Sequence, residues 1–343
     1  MKLKGVCYDV GREMMGRNWR PSFDTAIVHR ELEIIKNDLH CNAVRICGLD
    51  VGRLTASSEY ALSQGLEVWF SPEMWDRNQE ETLDYVVKAA ASAEELRAKW
   101  GGRLVFSVGS ELTLFMQGIV EGNNVMERLG HPTLRENIMA GRHNVLLNAF
   151  LAKAVAAVRQ VFHGRVVYAS IPFETVDWAL FDFTCADLYR GKPIMGNYSD
   201  FVKRYFSFGK PVVNTEFGCC TFKGAEEMGG RGWQIVDFSK VPPQLTGDYV
   251  YDQGTQAREL TNLLGILDNG GVYGAFVFTF VQPPTVTGEE EKLMLNEIQF
   301  DPDISSYSLV KNCMEGSHGT TYPDMPWEPK ESFRAVADYY ATH

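Results

Sequence analysis

The 343 residues contain no Cys-x-x-Cys pair and no His-Glu-x-x-His. The usual ligand spacings of zinc sites are therefore missing, and no metal is expected. A Gly-x-Ser-x-Gly turn, a phosphate loop and a dinucleotide fingerprint are also absent. That removes the commonest serine-hydrolase, nucleotide and nicotinamide readings and leaves no cofactor to expect. There is no run of about eighteen apolar residues of the kind that spans a membrane. "MKLKGVCYDV" enters strand-like sequence with no apolar leader before it, so a cytosolic location is the expectation. Positive charge is scarce: 33 Lys and Arg face 44 Asp and Glu, a net charge of −11. Such a surface repels phosphates, and neither nucleic acid nor an anionic membrane is an expected partner. Oligomeric state has no signature in the sequence. The seven cysteines are odd in number and form no disulfide pattern. They read as small buried hydrophobes, with adjacent Cys219 and Cys220 the one candidate for a redox role.

What is present is ample apolar material, 45% of residues against 22% charged, enough for a large core. Eight segments rich in Val, Phe, Tyr and Ile read as strands: 4–10, 42–48, 66–72, 103–111, 165–173, 182–189, 211–218 and 273–281. Amphipathic helical stretches lie between most of them, at 24–39, 83–100, 148–162 and 254–270. Helical signal is weakest between strands five and seven. Strands alternating with helices imply parallel pairing. Eight such units predict a closed (β/α)8 TIM barrel, one domain spanning 1–343. Long loops follow strands four, seven and eight, over 112–142, 219–250 and 282–325. All lie at the strands' C-terminal ends, where such barrels build their sites.

Two carboxylates stand out in this frame. "KPVVNTEFGCC" (210–220) places Glu216 at the end of strand seven, and "VFSVGSELTLF" (105–115) places Glu111 at the end of strand four. The tips of strands four and seven face one another across a barrel mouth. Two carboxylates there suit glycosidic hydrolysis, one as nucleophile and the other as acid, then base. A lone glutamate at a strand end is more often a salt-bridge partner; two, each before a long loop, shift the balance toward catalysis. Glu73, in "SPEMWDRN", is a third mouth carboxylate and the rival to this pair. Arg45, inside strand two, needs a carboxylate partner if buried. Trp75 reads either as a sugar-stacking surface or as a loop anchor, and Tyr8 and Asp9 end strand one at the expected floor of the pocket. Trp233 and Trp327 are candidate subsite walls.

"KPVVNTEFG" is similar to the strand-seven signature of the large clan of retaining (β/α)8 glycoside hydrolases. "NAVRI", "KGVCYD" and the closing "WEPKESFRAVADYY" resemble other parts of that clan, across nearly the whole chain. The resemblance implies Glu111 as acid/base, Glu216 as nucleophile, Arg45 in contact with Glu216, and a strand-six tyrosine, Tyr189, donating to it. Asn214 is counted with the substrate-binding residues. Ser110 departs from the clan, which usually has Asn at that position to bind the sugar's 2-hydroxyl. The strand-eight aromatic platform is also not a Trp here; Phe278 or Phe280 takes its place. The expected substrate is a small glycoside or oligosaccharide. The chain also resembles a group of actinobacterial cytosolic proteins labelled "abortive phage infection protein". The alternative readings are accordingly a non-catalytic carbohydrate-binding or phage-response protein on the same scaffold, or a barrel hydrolase or lyase acting on a non-sugar.

Overall fold

The computed structural model describes residues 1–14, 16–282, 297–314 and 316–343. Eight parallel strands follow in chain order: β1 (Leu3–Asp9), β2 (Ala43–Gly48), β3 (Glu67–Pro72), β4 (Leu104–Ser110), β5 (Arg165–Ala169), β6 (Thr184–Asp187), β7 (Val212–Phe217) and β8 (Gly274–Val277). Each pairs with its sequence neighbour, and β8 pairs with β1. The seam between β5 and β6 is thin. A single bridge, Ser170 with Ala186, joins them there. The Asp187 N–H donates to the Ser170 carbonyl at 2.8 Å. The (β/α)8 expectation holds, with all eight strands where sequence patterning placed them.

Among the described residues, six helices of twelve residues or more cover the barrel: α1 (Thr25–Asn37), α2 (Val51–Ser63), α3 (Gln79–Trp100), α4 (Arg142–Val158), α5 (Gln253–Asn269) and α6 (Glu331–Thr342). Four of their starts are chemically marked. Asp24, Asp50, Asn78 and Asp252 accept hydrogen bonds from the first-turn amides of α1, α2, α3 and α5, and Glu81 completes a capping box with Asn78. Between β5 and β7 there are only 3-10 turns and the short helix Tyr198–Lys203, where the helical signal is weakest. Among the described residues no helix is long and apolar enough to cross a membrane. Part of the long loop expected after β8, residues 283–296, lies outside the described residues.

The lower barrel is plugged by Trp69, Phe183 and Phe276, with ring centroids 5.0–5.5 Å apart. Gly5 makes this possible: a Cβ there would sit 2.4 Å from the Phe276 ring. The plug is a packed core rather than a channel, and it leaves the upper, C-terminal end for polar side chains.

Both strands that carry the candidate glutamates contain one extra residue just before the glutamate. On β4, Ser107 and Ser110 pair with Val167 and Ala169 of β5, so three steps face two. Gly109 absorbs the bulge at φ 152°, and the Ser107 hydroxyl donates to its carbonyl at 2.9 Å. On β7, Asn214 and Glu216 pair with consecutive Ala186 and Asp187 of β6. On its other side Asn214 and Phe217 pair with Ala275 and Val277. An extra residue flips the side-chain parity of everything after it.

Candidate active site

The β7 bulge decides where Glu216 points. Val213 pairs with Cys185 on one side and Gly274 on the other, in register with the inward face; Asn214 therefore faces outward. Strict alternation would send Glu216 outward as well, but the inserted residue turns it into the mouth. There its Oε1 accepts from Arg45 Nη1 at 2.6 Å and its Oε2 accepts from the Tyr189 hydroxyl at 3.0 Å. One oxygen is held from β2 and the other from the segment just past β6. Arg45 is fully buried, and it also donates to Glu73 Oε1 at 3.1 Å and to the Thr215 carbonyl at 3.3 Å. Planar guanidinium geometry lets one side chain serve all three acceptors.

Glu73, the rival carboxylate, is tied down by cations. Arg45 holds one oxygen and Arg12 Nη1 reaches the other at 3.2 Å, while the Ser71 hydroxyl donates at 3.2 Å. Arg12 also pairs with Asp9 and lies 4.8, 5.1 and 5.5 Å from the rings of Trp19, Phe278 and Trp75. Such a carboxylate is held static by donors on both oxygens. It suits an ion-pair bridge between β2, β3 and the loop after β1.

Glu111 has the opposite surroundings. It follows β4 in the left-handed region, φ 47°, and leads into the short helix Leu112–Phe115. Among the described residues no hydrogen-bond donor reaches its carboxylate. Burial, then the negative charges of Asp187, Glu216 and Glu174, push its pKa well above the usual carboxyl range, with Arg45 pulling the other way. Asp187, at the end of β6, is raised as well, by burial first and then by Glu216. Its Oδ2 accepts from Ser110 Oγ at 3.2 Å, its Oδ1 is buried with no hydrogen-bond partner among the described residues, and Arg45 stands 4.0 Å away. The β4 bulge is what aims Ser110 inward to make this contact. Chemically, the mouth combines one carboxylate whose two oxygens are fixed by donors with a second that burial and repulsion push toward its protonated form.

Four sequence-predicted residues lie elsewhere. Tyr8 is fully buried with parity opposite to Cys7 and Asp9; it points to the helix layer, where its hydroxyl donates to Glu31 of α1. It cannot line the pocket floor. Asn214 accepts from the Leu188 amide at 3.1 Å and sits 3.5 Å from the Tyr198 hydroxyl, behind the barrel wall. Trp327 is fully buried and donates to Glu31 at 2.9 Å, so it is a core residue and no subsite wall. Phe280 packs between Tyr8, Trp327 and Phe333. Phe278 is the strand-eight aromatic that faces the mouth, edge-on to Tyr189 and Tyr307.

Trp75 is half-buried, stacked on Phe115 at 4.1 Å and edge-on to Trp19 at 6.0 Å. Trp233 is half-buried in the loop after β7. Cys219 and Cys220 are buried, and burial pushes both thiols up, which disfavours redox chemistry. Sequence reasoning missed Arg12, Asp187, Glu174 and Tyr168. Asp187 was signalled by parity, since Cys185, Asp187 and Tyr189 fall on one face of "CADLY". The others come from loops or outward positions and had no such signal.

No protein-family model matches the chain, and no curated protein matches it. Solved structures do. Two structures of a GH113 β-1,4-mannanase superpose over 99–100% of this chain and 99% of theirs, with TM-scores of 0.60 and 0.62 at 14% and 13% identity. A β-glucuronidase from Ruminococcus gnavus superposes with a TM-score of 0.57 at 15% identity, over 99% of this chain and 49% of its own. At such identities the likeness establishes the TIM-barrel fold. Nothing in these matches supports the phage-infection resemblance.

Proposed function

We propose that the protein is a retaining glycoside hydrolase in which Glu216 attacks the anomeric carbon and Glu111 protonates the leaving oxygen, then activates water. The observation that carries this reading is the contrast between the two glutamates. Arg45 and Tyr189 each donate to Glu216 and fix its two oxygens in the mouth. Glu111 has no such donor and is pushed toward its protonated form, as an acid working near neutral pH requires. A β-glycosidase activity fits the names of the structural neighbours, mannanases and glucuronidases. The substrate we infer is a small glycoside or oligosaccharide, met in the cytosol.

Labelling with a panel of activated 2-fluoro glycosides tests the reading, with β-mannosides and β-glucuronides first. A 2-fluoro sugar slows both steps, but the good leaving group keeps the first one accessible, so the glycosyl-enzyme accumulates. The expected result is a covalent adduct on the peptide containing Glu216. An adduct on Glu73 or Asp187 would reassign the nucleophile, and a panel giving neither adduct nor turnover would refute the reading.

A further inference from the structure

Three consecutive backbone amides, those of Glu111, Leu112 and Thr113, are all held by groups from β5 and the loop after it. The Glu111 N–H donates to the Ala169 carbonyl at 2.8 Å. The Leu112 N–H donates to the Tyr168 hydroxyl oxygen at 2.8 Å, and the Thr113 N–H donates to Glu174 Oε1 at 3.0 Å. The two side chains are joined: the Tyr168 hydroxyl donates to the Glu174 carboxylate, 3.0 and 2.9 Å from its two oxygens. Glu174 Oε2 in turn accepts from the Ile171 amide at 3.1 Å. Both side chains are buried. They form a clamp directly after a residue whose φ of 47° lies in a region that side-chain-bearing residues seldom occupy. A buried carboxylate that spends its hydrogen bonds on two loop amides and a phenol is an expensive device for a loop of no consequence.

We propose that Tyr168 and Glu174 are positioning residues for Glu111: they hold its backbone in the left-handed turn that directs its carboxyl into the mouth. This inference rests on the reading of Glu111 as acid/base. Glu174 has a second, electrostatic reach. The charges that act on Glu111 are those of Asp187, Glu216, Glu174 and Arg45, with Tyr168 also nearby, and Glu174 accepts from Tyr168 and acts on Tyr205. Above about pH 7, where Glu174 is ionised, its negative charge therefore helps keep the proton on Glu111.

Two variants test this, Tyr168→Phe and Glu174→Gln, each read by crystallography and by kinetics on aryl and alkyl glycosides. Tyr168→Phe keeps the ring and loses the acceptor for Leu112. Residue 111 should leave its positive φ, and kcat/KM for alkyl glycosides should fall roughly tenfold or more, part of the ~10²–10⁴ that a general acid supplies. Activated aryl glycosides should fall several-fold less, because they need no proton. Glu174→Gln should also move the alkaline limb of kcat/KM to lower pH, a shift that a purely structural residue would not cause. Should Glu174→Gln not fold, Tyr168→Phe decides the matter alone. Variants that keep residue 111 in place and lose both substrate classes equally, with wild-type protein still labelled at Glu216, overturn the positioning role alone. Wild-type protein that neither labels nor turns over any glycoside removes the acid role, and this inference with it.

Discussion

Arg45 on β2 donates to Glu216 on β7 at 2.6 Å, across a barrel in which those strands are separated by β1 and β8. The guanidinium is fully buried and neutralises two carboxylates, Glu216 and Glu73. Arg45→Leu leaves both acids buried without their shared cation. Breaking a buried pair from one side costs about 3–5 kcal/mol, and urea denaturation should show a loss of that order. A loss below about 1 kcal/mol would mean that water or protons compensate the acids, and that Arg45 is not the structural centre of the mouth.

The two glutamates should separate by leaving group. Glu216→Ala removes the proposed nucleophile and should abolish turnover of aryl and alkyl glycosides alike. Glu111→Ala should spare activated aryl glycosides far more than alkyl ones, with a gap of roughly 10²–10⁴. Added azide should accelerate it by replacing the base-assisted water. Equal losses on good and poor leaving groups, with no azide rescue, would exclude Glu111 as the acid.

Asp187 should tune that acid. Among the charges around Glu111, Asp187 is the largest cause of its upward shift after burial. Asp187→Asn removes this repulsion without changing shape, so Glu111 should lose its proton at lower pH. Because the proposed reaction needs Glu111 protonated, the alkaline limb of kcat/KM should move to lower pH. An unmoved limb would mean that Asp187 is already neutral in the working protein.

Glu174 makes stability depend on pH with a definite sign. Burial raises its pKa to about 7, above that of an unfolded glutamate. The folded state therefore holds a proton that the unfolded state releases. The stabilisation is full below the ordinary glutamate range and is lost as pH rises through about 7, amounting to about 3 kcal/mol at most. Glu174→Gln does not titrate. Its deficit relative to wild type, from denaturation at pH 5 and pH 8, should be larger at pH 5. A deficit independent of pH would place the Glu174 pKa in the normal range.

Trp327→Phe and Tyr8→Phe should lower stability and leave KM alone. Each removes a donor to buried Glu31, and hydrogen bonds to charged groups contribute about 1.5–3 kcal/mol. A raised KM for oligosaccharides in Trp327→Phe would restore it to the substrate path.

Much of this molecule is written in local pattern. The eight strands, the helices that begin at Asp24, Asn78 and Asp252, and the thin helical layer between β5 and β7 follow from periodicity, capping chemistry and turn residues, which act over a few positions. Glu111 and Glu216 were visible because a carboxylate at the end of an apolar strand is anomalous wherever it occurs. The direction of each side chain was not visible. Tyr8 and Asn214 sit one residue from inward-facing positions, and only pairing register tells the two faces apart. The bulges that turn Ser110 and Glu216 inward exist only as a mismatch between neighbouring strands, three steps against two on β4 and β5, two steps against one on β7 and β6. Nor could sequence assign partners to the acids. Glu73 and Glu111 are the same residue type near the same barrel end. One became an ion-pair bridge and the other a raised acid because Arg12 and Arg45 reach Glu73, while Glu111 is left among Asp187, Glu216 and Glu174. Local sequence determines which elements form; charge pairing between residues distant in the chain needs the closed barrel, and that pairing decides which carboxylate is tied to cations and which is pushed toward its protonated form.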